Sequence, residues 1–402
     1  MGWLETLGLP IAIAVGLCST VYSANIVANK SIVPADEAPS SMVEPLTRLE
    51  LWPLTVLPQD DLLWGQDAIA RAQLLTAIDY SLQYLDTPAA VEAYNSYPVA
   101  GITHDRVRHS LIRFRALLVL SSSPEAFYES VQREFVLYQS IGQDGKGSVH
   151  FTGYFEPSFP ASRTPTEEYR YPLYQRPFDL DTWELPHPTR IALEGRDGQQ
   201  GSQGPLQGLE LVWLRDRLEA FLVQVQGSAR LQLTDGTFMS IGYAGRTEYS
   251  YTSIGRELIQ DGKIPETELT LERLLAHFTA DPEELDDYLP RNNRFVFFRE
   301  TAGGPPTGTF SVPVTAGRSI ATDKTLMPPG ALALIALDFP DRGAAGNWQA
   351  QPITRYVLNQ DTGGAIQGPG RVDIFVGSGD AAGEQAGQIN TQGHLYYLLL
   401  RP

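Results

Sequence analysis

The residues best suited to chemistry are the acids of a glycine-rich segment near the C-terminus, Asp361 to Gly383. Asp361 and Asp373 bracket the turn Gly363–Gly370, and Asp373 itself falls within a predicted strand. Because glycine lets the backbone approach a ligand closely, this segment can place one carboxylate at the base of a cleft with backbone N–H groups around it. Such a carboxyl group can serve as a general acid and base. In the alternative interpretation, Asp361 and Asp380 only cap turns.

Other catalytic chemistries lack their motifs in this chain. The six histidines match no H-E-x-x-H zinc motif, and there is no G-x-S-x-G nucleophile elbow. The stretch 142–147 has the wrong glycine and lysine spacing for a phosphate-binding loop. The single cysteine, Cys18, excludes an intramolecular disulfide framework and a cysteine-based zinc site. We therefore predict that the protein uses no metal and no cofactor.

The composition indicates an acidic globular protein. In 402 residues, 30 Lys and Arg against 47 Asp and Glu give a formal net charge of −17, which opposes general binding to nucleic acid. A hydrophobic fraction of 43% allows a sizeable core, while 36 Gly and 29 Pro favour strands and loops. The length predicts two or three domains.

The first residues have the pattern of a targeting segment. An apolar run extends from Leu7 to about Ala24, which suits the core of a signal peptide and is short for a membrane span. We predict a signal or anchor segment over 1–24 and a linker over 25–43. Two roles for Cys18 stay open, lipidation after cleavage or an apolar filler, because the preceding Leu17 is not the small residue that a lipoprotein signal prefers.

Hydrophobic spacing predicts the elements that must position the acids, with helices first and strands dominant from Val149 onward. The predicted helices are Gln66–Leu85, Asp105–Leu120, Pro124–Ile141, Ser253–Gln260, Leu269–Thr279 and Pro282–Tyr288. The predicted strands are Val149–Phe155, Leu209–Trp213, Ala220–Gln226, Arg230–Leu233, Phe238–Tyr243, Arg294–Arg299, Ala331–Leu337, Arg355–Asn359, Arg371–Val376 and Leu395–Leu400.

Several motifs in order give the chain a specific resemblance, which runs from about Val149 to Pro402. The motifs are Phe151–Pro157 (F-T-G-Y-F-E-P), Val225–Ala229, Tyr243–Arg246, Tyr251, Ser253–Gly255, Phe295–Phe298, Val312–Asp323, Met327–Gly330 and Asp361–Gly383. Together they resemble the MltA family of lytic murein transglycosylases. The last one resembles the family's C-terminal 3D module, for whose three aspartates this chain offers Asp361, Asp373 and Asp380.

The resemblance implies an exolytic peptidoglycan transglycosylase. Such enzymes cleave the β-1,4 bond between N-acetylmuramic acid and N-acetylglucosamine without water, because the muramoyl C6 hydroxyl attacks C1 and leaves a 1,6-anhydro end. One carboxyl group suffices: it protonates the leaving oxygen and then takes the proton of the C6 hydroxyl. The tethered nucleophile has a high effective concentration. The family's catalytic aspartate corresponds to Asp373, and for Asp361 we favour a supporting, structural role.

The resemblance also implies the fold class and domains. We expect a mainly β protein with helices, in which a double-psi β-barrel domain and a second small β-domain enclose a glycan groove. The barrel would comprise 44–155 and 241–402, and the inserted domain 156–240.

Further candidate residues would contact the substrate. Thr152, Tyr154 and Glu156 lie where the first strand of the barrel could meet a glycan. A polar turn, two tyrosines and two serines complete the predicted set: Gln226, Gly227, Ser228, Tyr243, Tyr251, Ser253 and Ser378. Core packing of the tyrosines, and helix capping by Ser253, are the structural alternatives.

The resemblance implies an exported protein of the periplasm or cell envelope. Its partners would be peptidoglycan strands and other cell-wall enzymes, with membrane contact only through the N-terminal segment. Three alternatives stay open. They are a non-catalytic peptidoglycan-binding protein, a hydrolase that pairs Asp373 with Asp361 or Glu156, and a dimeric aspartic peptidase built on Asp361-Thr362-Gly363.

Overall fold

The computed structural model describes residues 44–53, 59–65, 68–269, 271–301, 303–343, 346–364 and 366–402. The predicted signal or anchor segment 1–24, with Cys18, and the predicted linker 25–43 lie outside these residues. Within the described ranges, no helix has both the length and the apolar character to cross a membrane.

Ten α-helices and fourteen strands are found in the described residues. The helices are α1 (Ile69–Leu85), α2 (Pro88–Asn95), α3 (His104–Leu120), α4 (Pro124–Glu134), α5 (Arg190–Glu194), α6 (Arg217–Gln226), α7 (Ile254–Gln260), α8 (Leu271–Ala280), α9 (Leu285–Tyr288) and α10 (Asp380–Gln388). The strands are β1 (Leu46–Arg48), β2 (Phe135–Ser140), β3 (Val149–Glu156), β4 (Ser158–Ser162), β5 (Tyr171–Tyr174), β6 (Glu210–Leu214), β7 (Ser228–Leu233), β8 (Phe238–Arg246), β9 (Val296–Thr301), β10 (Ser319–Ala321), β11 (Leu332–Arg342), β12 (Trp348–Asp361), β13 (Arg371–Ser378) and β14 (Asn390–Leu400). Short 3-10 helices cover Asp61–Trp64, Leu180–Thr182, Gly201–Gln203, Glu266–Glu268, Pro282–Glu284 and Leu289–Arg291.

Two predicted elements differ in type from the structure. The prediction of a strand over Ala220–Gln226 was wrong, because this stretch belongs to helix α6. The Asp216 side chain caps that helix by accepting hydrogen bonds from two backbone N–H groups, and Gly227 ends it in the left-handed conformation (φ 79°). The predicted helix Pro124–Ile141 stops at Glu134, and the apolar run that follows forms β2.

Six strands form a closed barrel, in the order β14, β11, β12, β10, β13 and β3, and the pairing of β14 with β3 closes the ring. Strand β2 pairs with β14 outside the ring, and β1 pairs with β2. Two pairings in the ring are parallel, β3 with β13 and β10 with β12. A closed barrel, a second sheet and surrounding helices confirm the predicted fold class.

The second sheet has six strands in the order β5, β6, β4, β7, β8 and β9. The chain leaves the barrel at Pro157, which separates β3 from β4. Strand β8 crosses residue 240, the predicted end of the inserted domain, and β9 pairs with β8. The division of the chain into domains stays a prediction.

Helices and buried charges fix the barrel strands that hold the candidate site. Helix α10 packs on β3 and β13, and an added methyl group on Gly153 of β3 would lie only 2.7 Å from the Cα atom of Ala386 in α10. On another side, the guanidinium of Arg318 (1% exposed) pairs with the carboxylate of Asp60 (0% exposed). The Asp60 carboxylate also accepts a hydrogen bond from the Tyr356 backbone N–H at 3.1 Å.

Candidate active site

Asp373 lies on strand β13 within a three-residue network. Its Oδ1 atom accepts hydrogen bonds from the Thr152 hydroxyl of β3 and from Nε of Arg371 at 3.0 Å. Nη2 of Arg371 also donates to the Thr152 hydroxyl oxygen at 2.8 Å, which closes the triangle. None of the described residues donates a hydrogen bond to Oδ2. One oxygen of Asp373 is therefore held in place while the other stays available to a ligand.

Strand register explains why these side chains meet. Residues opposite one another on neighbouring strands point to the same face of a sheet, and Thr152 lies opposite Asp373 in the parallel β3–β13 pair. Ala321 of β10 lies opposite Asp373 on one side and opposite Asp361 on the other. Asp361, Ala321, Asp373 and Thr152 therefore form one row across four strands of the barrel. Two strand spacings separate the Cα atoms of Asp361 and Asp373, about 10 Å.

Asp361 is committed to the local structure. Its Oδ1 atom accepts hydrogen bonds from the backbone N–H and hydroxyl of Thr309 and from the Thr362 N–H, each at 2.8 Å. Its Oδ2 atom accepts the hydroxyl of Tyr154 at 2.9 Å. Burial raises the pKa of Asp361, against the opposing effect of these hydrogen bonds. Both of its oxygens are occupied, which favours the predicted supporting role.

Tyr154 donates a hydrogen bond to Asp361 and lies near enough to Asp373 to be affected by its charge. It stands two residues after Thr152 on β3, on the same face, and its ring packs against Phe375 with a centroid distance of 5.2 Å. Burial raises the pKa of Tyr154 well above its usual value, and the charges of Asp361 and Asp373 add to that rise. The hydroxyl therefore acts as a hydrogen-bond donor to Asp361.

Glu156 ends the same face of β3 and is 3% exposed. Its Oε2 atom accepts the Ser378 hydroxyl at 2.7 Å, while its Oε1 atom is buried without a hydrogen-bond partner among the described residues. Burial raises the pKa of the Glu156 carboxyl. Four residues of strand separate Glu156 from Thr152, which amounts to about 13 Å. Glu156 and the predicted Ser378 thus form a contact of their own, apart from Asp373.

The other predicted binding residues lie on and beside the second sheet. Gln226 ends helix α6, Gly227 forms the turn, and Ser228 (8% exposed) begins β7. A methyl group on Gly227 would lie 4.0 Å from Cβ of Tyr243, a residue of β8 that is 36% exposed. No hydrogen bond among the described residues joins these side chains to Asp373, and their role in binding stays a prediction.

Two further predicted positions have local structural contacts. The Ser253 hydroxyl oxygen accepts a hydrogen bond from the Arg256 N–H at 3.4 Å and so caps helix α7. Tyr251 lies close enough to Arg294 for the arginine charge to oppose the effect of burial, which raises the Tyr251 pKa to about 12. The third acid of the segment, Asp380, is exposed and begins helix α10, which is absent from the helices that the sequence predicted. The described residues contain no cluster of three or more His, Cys, Asp or Glu side chains that could hold a metal ion.

Known proteins are similar to this chain in sequence and in fold. The chain is 31% identical over 269 residues to membrane-bound lytic murein transglycosylase A of Escherichia coli (strain K12), a match that covers 66% of this chain and 69% of that protein. The protein of the same name from Vibrio cholerae is 31% identical over 261 residues, which cover 64% of this chain and 67% of that protein. The chain belongs to the MltA family of lytic murein transglycosylases.

Two domain families match consecutive parts of the chain. The MltA specific insert domain matches residues 150–299, and the 3D domain matches residues 318–399. The 3D match contains Asp361, Asp373 and Asp380, while the insert match contains β4 to β8 of the second sheet and the first four residues of β9. The predicted resemblance and the predicted enzyme class are confirmed by this membership.

Solved structures of MltA proteins have the same fold. The membrane-bound lytic murein transglycosylase of Agrobacterium tumefaciens aligns with a TM-score of 0.67 at 29% identity, over 84% of this chain and 95% of that one. Escherichia coli MltA with bound chitohexaose aligns with a TM-score of 0.64 at 25% identity, over 89% of this chain and 95% of that one.

Several residues of the candidate site were not predicted from the sequence. Arg371 precedes Asp373 by two positions on a strand, so period-two geometry already placed both on one face. The Oδ2 atom of Asp323 accepts the Gly368 N–H at 2.8 Å and so fixes the turn before Asp373. The sequence offered Asp323 only as the last residue of the motif Val312–Asp323, without a role. Asn390 lies opposite Thr152 and contacts Nε2 of His150 at 2.7 Å, a pairing that depends on the closure of the barrel.

Proposed function

We propose that this protein is a lytic transglycosylase that cleaves the β-1,4 bond between N-acetylmuramic acid and N-acetylglucosamine in peptidoglycan. It forms 1,6-anhydromuramoyl ends with Asp373 as the single acid and base. The observation that carries the proposal is the environment of Asp373, whose Oδ1 atom is held by Thr152 and Arg371 while Oδ2 receives no hydrogen bond from the described residues. The side chain of Asp373 is 18% exposed and thus accessible to a substrate.

In the proposed reaction, the carboxyl group of Asp373 gives its proton to the glycosidic oxygen as the bond to muramoyl C1 breaks. The resulting carboxylate takes the proton of the C6 hydroxyl as that oxygen bonds to C1. Asp373 ends in its starting state, and no water is consumed. Arg371 and Thr152 stabilise the carboxylate between the two proton transfers and fix the side chain for both.

The environment of the other acids favours this reaction over hydrolysis. A glycosidase needs a second carboxylate, at about 5–5.5 Å from the first for retention and about 6.5–9.5 Å for inversion. The oxygens of Asp361 are taken by four hydrogen bonds, and Glu156 lies about 13 Å further along β3. The same bonds leave Asp361 poorly placed to share a proton with a symmetry mate, as a dimeric peptidase would require.

The substrate assignment is supported by the MltA membership and by the chitohexaose bound in the Escherichia coli relative. We further propose that the protein acts in the cell envelope, since the curated relatives are named membrane-bound. Cell-wall enzymes are its expected protein partners.

Isotope labelling distinguishes the reactions. Purified peptidoglycan is digested in H₂¹⁸O and the fragments are weighed by mass spectrometry. The proposal predicts anhydro ends whose mass lacks one water and carries no ¹⁸O. Hydrated, ¹⁸O-labelled reducing ends would establish a hydrolase, and undigested peptidoglycan that retains the bound protein would establish a binding protein.

A further inference from the structure

Two arginine side chains lie side by side next to the glycine-rich turn. Arg246 ends strand β8, and Arg294 stands just before β9, which pairs with β8. Nη1 of Arg246 and Nε of Arg294 both donate to the backbone carbonyl of Tyr249, at 3.3 and 2.9 Å. The two guanidinium groups therefore share one acceptor.

Neither guanidinium has an acidic partner. Among the described residues, no carboxylate oxygen lies within 4.0 Å of Arg246 or Arg294. The acid that reaches Arg294 electrostatically is the exposed Glu248. Burial lowers the pKa of Arg294, and repulsion by the like charge of Arg246 lowers it further.

Two buried arginines, by contrast, each have an acidic partner. Arg217 (6% exposed) contacts both Glu194 and Asp286, and Arg190 (1% exposed) contacts Glu194. Arg246 and Arg294 are only partly exposed, and like charges placed together with reduced access to water are costly unless a counter-ion joins them. In a chain with a net charge of −17, an unpaired arginine pair is thus a specific local feature that suits an anionic ligand.

The pair lies beside the candidate active site. A methyl group on Gly364 would overlap Nη1 of Arg294, so the guanidinium rests directly on the turn that begins three residues earlier at Asp361. Tyr243, the half-exposed tyrosine of β8, feels the charges of both arginines, which lower its pKa against the larger effect of burial. The arginine pair therefore connects the second sheet to the row of barrel residues that holds Asp373.

We propose that Arg246 and Arg294 bind a carboxylate carried by the muramoyl side of the glycan. This proposal rests on the proposed function. N-acetylmuramic acid carries a lactyl carboxyl group, which is either free or extended by a peptide with carboxylates of its own, whereas N-acetylglucosamine has none. Guanidinium groups bind carboxylates through paired, charge-assisted hydrogen bonds. The site would fix which sugar of the alternating strand stands at Asp373.

Binding measurements with three ligands test the proposal. Titration calorimetry uses Asp373→Asn protein, to prevent turnover, with chitohexaose, peptide-free glycan strands and peptide-bearing strands. Arg246→Gln and Arg294→Gln are each expected to weaken binding of carboxylate-bearing strands by about tenfold or more, and to leave chitohexaose binding within about twofold. Arg299→Gln, an exposed arginine of β9, is the matched control for the loss of one positive charge.

The ligand that loses affinity identifies the carboxylate. A loss with peptide-free strands alone indicates the free lactyl carboxylate, and a loss with peptide-bearing strands alone indicates a carboxylate of the peptide. A loss with both kinds of strand indicates that the site accepts either carboxylate. Equal losses for chitohexaose and the strands, or no loss at all, would overturn the proposal. If Arg294→Gln fails to fold, the proposal is tested with Arg246→Gln and with the salt dependence of binding. Added salt should weaken the binding of carboxylate-bearing strands, which depends on a charged contact, and should leave chitohexaose binding unchanged.

Cleavage is scored separately with unmutated Asp373. Absence of anhydro products from the wild-type protein would refute the proposed function, whereas the contrast between neutral and carboxylate-bearing ligands could still support or refute the arginine site.

Discussion

Gly153, between Thr152 and Tyr154 on strand β3, gives a sharp test of how the fold positions the site. An added Cβ atom there would lie 2.7 Å from Cα and 2.8 Å from the carbonyl oxygen of Ala386 in helix α10, and 2.9 Å from Cδ1 of Ile389. Ordinary carbon contacts are about 3.5–4.0 Å. Since two of these atoms belong to the backbone of α10, the helix or the strand must move by several tenths of an ångström.

We therefore expect Gly153→Ala to destabilise the protein by about 1–3 kcal/mol, the usual cost of overpacking. The unfolding temperature should fall by about 2–4 °C per kcal/mol. The turnover rate should also fall, by up to about 100-fold, because a displacement of β3 moves the side chains of Thr152 and Tyr154 that hold the two acids. Thermal unfolding and the release of anhydro-muropeptides measure the two effects.

Gly242→Ala is the matched control, since Gly242 also lies in a strand and its added Cβ would meet only a side-chain methyl of Thr301 at 3.3 Å. That variant should be near neutral in stability. Wild-type stability and activity in Gly153→Ala would refute the packing of α10 against β3 and its role in positioning the site.

Two further substitutions probe buried charges. Burial raises the pKa of Asp361 above its usual 3.8, so the folded state binds the proton more tightly, and the associated stability is complete below about pH 3.8 and lost as pH rises through the folded pKa. The Asp361→Asn variant keeps an acceptor for the backbone donors and a polar contact for Tyr154. Its free energy of unfolding in urea, relative to wild type, should therefore increase between pH 3 and pH 7. A difference that does not change with pH would contradict this expectation. Arg318→Met should cost about 3–5 kcal/mol in the same assay because it leaves the buried Asp60 carboxylate unpaired. Arg163→Met, which removes a pair with Glu300 in which both side chains are about half exposed, should cost at most about 1 kcal/mol, and equal costs would refute the importance of the buried pair.

The local pattern of the sequence was sufficient for the strands that carry Thr152 and Asp373, whereas the predicted strand Arg355–Asn359 was too short and left out Asp361 at the end of β12. The apolar run Val149–Phe155 and the glycine turn before Arg371 predicted β3 and β13 to within about two residues. The resemblance then singled out Asp373, and the structure gives it two polar partners and one free oxygen.

What the sequence could not supply depends on contacts between distant parts of the chain. The parallel pairing of β3 with β13 joins residues separated by 221 positions, and it alone brings Thr152 to Asp373. The contact between Arg294, just before β9, and Gly364, just after β12, joins segments next to two different sheets. No local sequence pattern predicts it. Helix α10 was missed for a different reason, because its glycines are unfavourable in helices, yet Gly383 leaves room for the ring of Phe155.

If Asp373 alone performs both proton transfers, the Asp373→Asn variant must lose turnover and keep glycan binding. The assay compares anhydro-muropeptide release with chitohexaose binding in wild type, Asp373→Asn and Asp338→Asn, the last being an exposed acid of barrel strand β11. We expect Asp373→Asn to lose at least about 100-fold in turnover while it still binds the glycan, and Asp338→Asn to behave as wild type. Turnover by Asp373→Asn at the wild-type rate would contradict this role of Asp373.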